Sequence, residues 1–137
     1  MNTPPVVLFL CVRNAGRSQM AAAFARRHGG GRVTVLTGGS APAGEVHPVV
    51  AEAMAEIGID LSKERPRRFA DADVRAADVV VTMGCGDACP VFPGKRYEDW
   101  KVADPGEEPL DRVRVVRDAI RARVADLLRS LGVEPAG

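Results

Sequence analysis

Val6–Leu10 is an unbroken apolar run of β-forming residues, the pattern of a strand buried on both faces of a parallel sheet. From Arg17 the period changes. Met20, Ala23, Phe24 and Arg27 recur at helical spacing as far as His28, and Gly29-Gly30-Gly31 stops the pattern. Val33–Thr37 reads as a second strand, and Gly38-Gly39-Ser40 opens a loop that holds Pro42 and Gly44. A helix starting at Pro48 carries Val49, Val50, Ala53, Met54 and Ile57 on one side and ends at Gly58. Asp71–Ala77 suits a short helix, Asp78–Met83 a third buried strand and Arg96–Val102 a short edge strand. Leu110, Val113, Val116, Ile120, Val124, Leu127 and Leu131 form one stripe at spacings of three and four, a long amphipathic helix closed by Gly132. This alternation predicts an α/β fold in three layers, a parallel sheet with helices on both faces. Ligands of such sheets bind beyond the carboxyl ends of the strands. Cys11 follows the first strand directly and Cys85 and Cys89 follow the third, so one rim can gather all three sulfurs.

Composition narrows the class. The 137 residues suit one domain, and 46% hydrophobic with 27% charged residues is ordinary for a globular protein. A net charge of +1 argues against a dedicated surface for nucleic acid or anionic membrane. No apolar run approaches the ~20 residues of a membrane span. The opening M-N-T-P-P lacks the charged region and cleavage site of a secretion signal, so a cytoplasmic location is expected. Three cysteines, an odd number, do not suit a secreted disulfide framework and point to redox or catalytic work.

The candidate chemistry starts at Cys11. The loop Val12, Arg13, Asn14, Ala15, Gly16 leads into Arg17 and Ser18, where a helix begins. Such a strand-to-helix loop aims backbone N–H groups and the positive end of the helix dipole at one point, a receptor for a tetrahedral oxyanion. The same field favours the thiolate of a cysteine seated there. Arg17 supplies a planar fork for two anion oxygens, Ser18 a hydroxyl for the sulfur, and Asn14 tolerates a left-handed backbone. The plain alternative is an inert buried cysteine and a solvated arginine; the junction and the placing of Asn14 and Ser18 favour the functional reading. The nucleotide pattern G-x-x-x-x-G-K-[ST] is absent.

In M-G-C-G-D-A-C-P, Cys85 and Cys89 stand four apart. As a zinc site the pair is incomplete and no metal is expected. Inert packing is possible for free cysteines, but a glycine-flanked loop after a strand suits thiol exchange, and a redox pair is the favoured reading. Asp104-Pro105 is either a plain turn or a general acid, and spacing alone does not decide. The polar run Ser62–Arg68 reads as a solvated loop, with steering of an anion or a partner as the alternative. His28 and His47 fall near helix ends and read as caps or surface residues.

C-V-R-N-A-G-R-S-Q-M-A resembles the active-site loop of the low-molecular-weight tyrosine phosphatase fold, and within it the thioredoxin-coupled arsenate reductases. H-P-x-x-x-E-A-M-A-E-I-G-I-D-L-S, D-V-V-V-T-M, the loop ending in Cys-Pro and the later Trp…Asp-Pro extend the likeness over nearly the whole chain. The resemblance implies a four-stranded parallel sheet in the order 2-1-3-4. It implies Cys11 as nucleophile, Arg17 and the loop amides as oxyanion binders, Ser18 as thiolate stabiliser, Asp104 as acid, and Cys85 and Cys89 as relay cysteines. Arsenate would be the substrate, with phosphate and sulfate as competitors and thioredoxin as electron donor; no bound cofactor is implied. Three departures stand out: the relay cysteines are closer together than usual, Arg13 replaces the usual Gly, and Ala22 stands where some members carry a Glu that helps hold potassium. The short cysteine loop also resembles relatives coupled to a small thiol such as mycothiol. A tyrosine phosphatase would share the anion loop but needs aromatic cleft residues, and this chain has one Tyr and one Trp. A non-catalytic oxyanion sensor would need neither Asp104 nor the extra cysteines.

Overall fold

The computed structural model describes residues 3–84, 94–106 and 108–136. Four strands, β1 (Val6–Cys11), β2 (Thr34–Gly39), β3 (Val79–Met83) and β4 (Arg96–Asp99), form one sheet in the order β2-β1-β3-β4. All three pairings are parallel, the topology that the resemblance implies. The helices are α1 (Arg17–Gly29), α2 (Pro48–Ala55), α3 (Asp71–Ala76) and α4 (Leu110–Ser130), with a 3₁₀ turn at Gly30–Arg32.

Strand alternation divides the core. Val7, Phe9 and Cys11 of β1 and Val79, Val81 and Met83 of β3 face the larger cluster, with α1, α2 and α4. Leu8, Leu10 and Val80 face the opposite way, against Phe69 and Val74 of α3. Helices therefore cover both faces, in three layers. Each fully buried large side chain here, Phe9, Phe24 and Leu8 among them, contributes roughly 1.5–3 kcal/mol. Trp100 closes one end of the larger core, its ring 5.9 Å from that of Phe9.

The helical stripe understates α1. Not only Met20 and Phe24 but every residue from Ser18 to Ala25 is buried, because α1 lies between the sheet and α4. Ala21, Ala22, Ala23 and Ala25 present no bulk on the flanks, which lets both neighbours approach. The stripe on α4 holds at Val113, Ile120, Val124 and Leu127, all buried. Among the described residues no helix is long and apolar enough to cross a membrane.

Strand ends shift from their expected places. β2 does not stop at Thr37; Gly38 and Gly39 pair with Leu10 and Cys11. A Cβ at Gly39 would lie 2.6 Å from the carbonyl oxygen of Val12, so only glycine lets β2 run this close to the loop after β1. Segment 67–69 then joins the free edge: Gly39 N–H donates to Arg67 O (2.9 Å), and Arg68 forms a parallel bridge to Gly39. β4 is shorter than expected and ends at Asp99. α1 runs one residue further than expected, to Gly29.

Candidate active site

Cys11 is the last residue of β1 and only 2% exposed, at the floor of the loop 12–16. The loop carbonyls are tied outward. Cys11 O, Val12 O, Arg13 O and Ala15 O accept from the N–H groups of Ser40, Ala41, Ala43 and His47, and Asn14 O accepts from Gln19 Nε2. Segment 40–47 is thus a belt around the loop, and with the carbonyls turned to it the loop amides face the other way. α1 begins at Arg17 with no side-chain cap and no acidic residue in its first turn, so its leading N–H groups and dipole remain available to an anion.

Asn14 is the hub of the floor. Its backbone is left-handed at φ +50°, as its residue type allows, and it is completely buried. Nδ2 donates to Ser18 Oγ (2.7 Å) and to Thr37 Oγ1 (2.9 Å), while Oδ1 accepts from Gln19 Nε2 (3.2 Å) and from the Arg67 N–H (3.0 Å). An amide nitrogen only donates, so Ser18 Oγ accepts from Asn14 and its own hydrogen is free for Cys11 Sγ, 2.9 Å away. The Asn14 N–H also points at that sulfur, at 3.3 Å. The Ser18 hydroxyl and the Asn14 N–H thus converge on one sulfur. The orientation of the Gln19 amide follows from its two oxygen acceptors on Asn14, which leaves Gln19 Oε1 buried without a partner among the described residues.

Arg17 crosses the mouth. Its Nη1 donates to Val102 O (3.3 Å), and its Nη2 lies 3.7 Å from Asp104 Oδ2. Gly84, directly after β3, has φ +90°, and a Cβ there would sit 2.6 Å from Arg17 Nη1. The guanidinium therefore occupies the space a side chain would take. Pro105 packs on Gly16, which brings Asp104 to the rim, where its side chain is 56% exposed and Oδ1 accepts from the Gly106 N–H (3.0 Å).

Of the expected site residues, Cys11, Asn14, Arg17, Ser18 and Asp104 converge, with Val12, Ala15 and Gly16 as the loop between them and Arg13 at the outer lip. Cys85 and Cys89 lie outside the described residues. His47 stands at the N-cap position of α2, as its sequence reading allows, but its side chain makes no capping hydrogen bond and lines a cavity of about 520 Å³ with Arg13, Asp104, Gly106 and Glu108. His28 is buried at the other end of α1, stacked on Phe24, with Nδ1 2.6 Å from Ala136 O. The run Ser62–Arg68 is more than a solvated loop, since the Arg67 N–H orients Asn14.

A thiol on the floor of an uncapped strand-to-helix loop, in a parallel sheet of this order, defines a class of α/β proteins shaped to hold a tetrahedral oxyanion over sulfur. The chain belongs to the low molecular weight phosphotyrosine protein phosphatase family, whose model matches residues 6–136. A relative from Halobacterium salinarum is 43% identical over 124 residues, 87% of each chain. The glutaredoxin arsenate reductase of Synechocystis is 34% identical over 91% of this chain and 97% of its own. Among solved structures, the Corynebacterium glutamicum thioredoxin-dependent arsenate reductase superposes with a TM-score of 0.84 at 42% identity, covering 96% of this chain; the present chain spans 64% of that protein's length. An arsenate reductase in its phosphate-binding state matches with a TM-score of 0.81 at 33% identity, over 92% of this chain and 98% of its own.

Proposed function

We propose that the protein is an arsenate reductase that uses Cys11 as nucleophile and passes the resulting oxidation to Cys85 and Cys89. One observation carries the reading: Asn14 turns the Ser18 hydroxyl onto the Cys11 sulfur, at the focus of the loop amides. Arsenate seats in the loop with Arg17 forking two of its oxygens. The Cys11 thiolate attacks arsenic, and one oxygen leaves as water after Asp104 protonates it. Cys85, as thiolate, attacks the Cys11 sulfur; the S–As electron pair passes to arsenic, which leaves as arsenite, and a Cys11–Cys85 disulfide remains. Cys89 attacks Cys85, freeing Cys11, and an external dithiol reduces the Cys85–Cys89 bond.

The described chain reaches Arg17 at Gly84, one peptide unit before Cys85, which suits this relay. Thioredoxin is the donor we assign, supported by the likeness to the Corynebacterium glutamicum enzyme, a thioredoxin-dependent arsenate reductase. The Synechocystis relative, a glutaredoxin arsenate reductase, supports the second reading, a small-thiol couple in which one relay cysteine suffices. Arsenite production with thioredoxin and its reductase distinguishes the two. Cys85→Ser and Cys89→Ser should each abolish it, and full activity in Cys89→Ser with a small thiol and glutaredoxin would select the second.

A further inference from the structure

We infer that His47 is a further oxyanion-contacting residue, whose imidazole takes up a proton as the anion binds. The inference concerns the same pocket as the reductase reading and rests on its oxyanion site, but not on any redox step.

His47 precedes α2, and its N–H donates to Ala15 O at 2.9 Å, so the residue is fastened to the anion loop through its backbone. Its ring lies between the two sides of the mouth. Cδ2 is 3.4 Å from where a Cβ at Gly16 would stand, and Nε2 is 3.4 Å from the same point at Gly106. Neither flank carries a side chain to hold the ring off. The imidazole is half-buried and lines the cavity above the loop, with neither ring nitrogen hydrogen-bonded among the described residues. A histidine used only as structure has a nitrogen tied down, as His28 has to Ala136 O.

The charges around the ring define its task. Arg13 faces it from the anion loop, and Asp104 and Glu108 from the chain before α4. Arg17 reaches the same place through its contact with Asp104. Among the described residues, these two carboxylates and two guanidiniums nearly offset one another before an anion binds. A bound dianion adds negative charge on the side where the ring has no partner among the described residues, which draws a proton onto the imidazole and lets a ring N–H donate to an outward oxygen. Arg17 and the loop amides hold the inner oxygens; His47 reads the outer one. A small inorganic oxyanion has an outer oxygen to offer, whereas a phosphate ester directs its organic group into that space.

The chain has two histidines, so imidazole NMR of the full-length protein resolves each. Inorganic phosphate is the probe. Near pH ~6.5, where free imidazole is half protonated, phosphate should drive proton uptake by His47 and leave His28 unmoved. In calorimetry, His47→Asn should weaken phosphate binding about tenfold at pH ~6 and less than twofold at pH ~8.5. Its melting temperature should match the parent, and His47→Gln should behave alike. An imidazole signal of His47 unaffected by phosphate, or a loss of binding in both variants that is equal at the two pH values, overturns the inference. Arsenite production is measured separately: a chain that binds phosphate in this manner but reduces no arsenate refutes the reductase reading alone.

Discussion

Two polar clusters in this molecule are each built around one residue that serves four or more bonds, and they are built from opposite materials. At the front, Asn14 joins Ser18, Thr37, Gln19 and the Arg67 backbone through neutral groups in complete burial. At the back, the Glu56 carboxylate joins Arg114 and Arg117 between α2 and α4, partly open to water. Neutral hydrogen bonds have direction, and the front cluster uses that direction to aim a hydroxyl hydrogen at a sulfur. An ion pair tolerates a range of angles, which suits the docking of one helix on another and would not suit the aiming of a proton. The front hub itself carries no ionisable group, whereas the back depends on one carboxyl staying ionised.

The largest effect should come from breaking the front hub. Asn14→Ala removes four hydrogen bonds from a fully buried position and places alanine at φ +50°. A stability loss of about 3–5 kcal/mol is expected from urea unfolding. Alkylation of Cys11 by iodoacetamide at neutral pH should slow, because Ser18 is no longer turned toward the sulfur. If the variant unfolds like the parent, the front is not the rigid member of the pair. The matching cut at the back is smaller. Arg117→Met keeps most of the volume but gives up bonds to Ala53 O (2.8 Å) and Glu56 (2.9 Å), a loss of about 1–3 kcal/mol. Cys11 alkylation should be unchanged, which separates the two clusters.

How much of this the sequence discloses depends on whether partners are contiguous. Cys11, Arg17 and Ser18 sit within one eight-residue loop and helix start, so their chemistry is legible from spacing. The strand order follows from a resemblance over the whole chain. The Asn14 partners Thr37 and Arg67 are 23 and 53 residues away. The second acts through a backbone N–H, which no residue type advertises. For the same reason Ser62–Arg68 looks like a solvated basic run: its side chains do face outward, and the useful group is the peptide. The place of His47 beside the anion loop is not legible because the segment 40–47 has no periodicity, and its course is set by the carbonyls of Cys11, Val12, Arg13 and Ala15. Gly38-Gly39 reads as a loop signal when it is a close approach within a strand.

Gly84 tests whether the front also depends on a backbone that only glycine adopts readily. Gly84→Ala must hold φ +90° and place a methyl where Arg17 Nη1 now lies. The expected cost is about 1–2 kcal/mol of stability, with phosphate binding weakened roughly tenfold as the guanidinium moves off the mouth. Unaltered phosphate affinity would show that Arg17 finds another path to the anion.

The smallest effect, and the one that most directly sets the clusters apart, is in acid. The Arg114 hydrogen bond, aided by Arg117, pulls the Glu56 carboxyl from 4.5 down to about 2. A carboxyl whose folded value lies below its unfolded one binds fewer protons when folded. Its contribution is therefore complete above pH 4.5 and is lost as pH falls from there toward about 2. Glu56→Gln removes that proton linkage but leaves an amide able to accept from one arginine. The parent and the variant should both lose stability on acidification, through their other carboxylates, but the urea midpoint of the parent should fall more steeply across this window. At neutral pH the variant should be slightly weaker, since the pair is partly solvated. Equal slopes would mean that the two arginines hold Glu56 no better in the folded chain than water does in the unfolded one. In that case α2 is seated on α4 by the buried contacts of Val50, Ala53 and Met54, and the charged cluster is an ornament of the surface beside them.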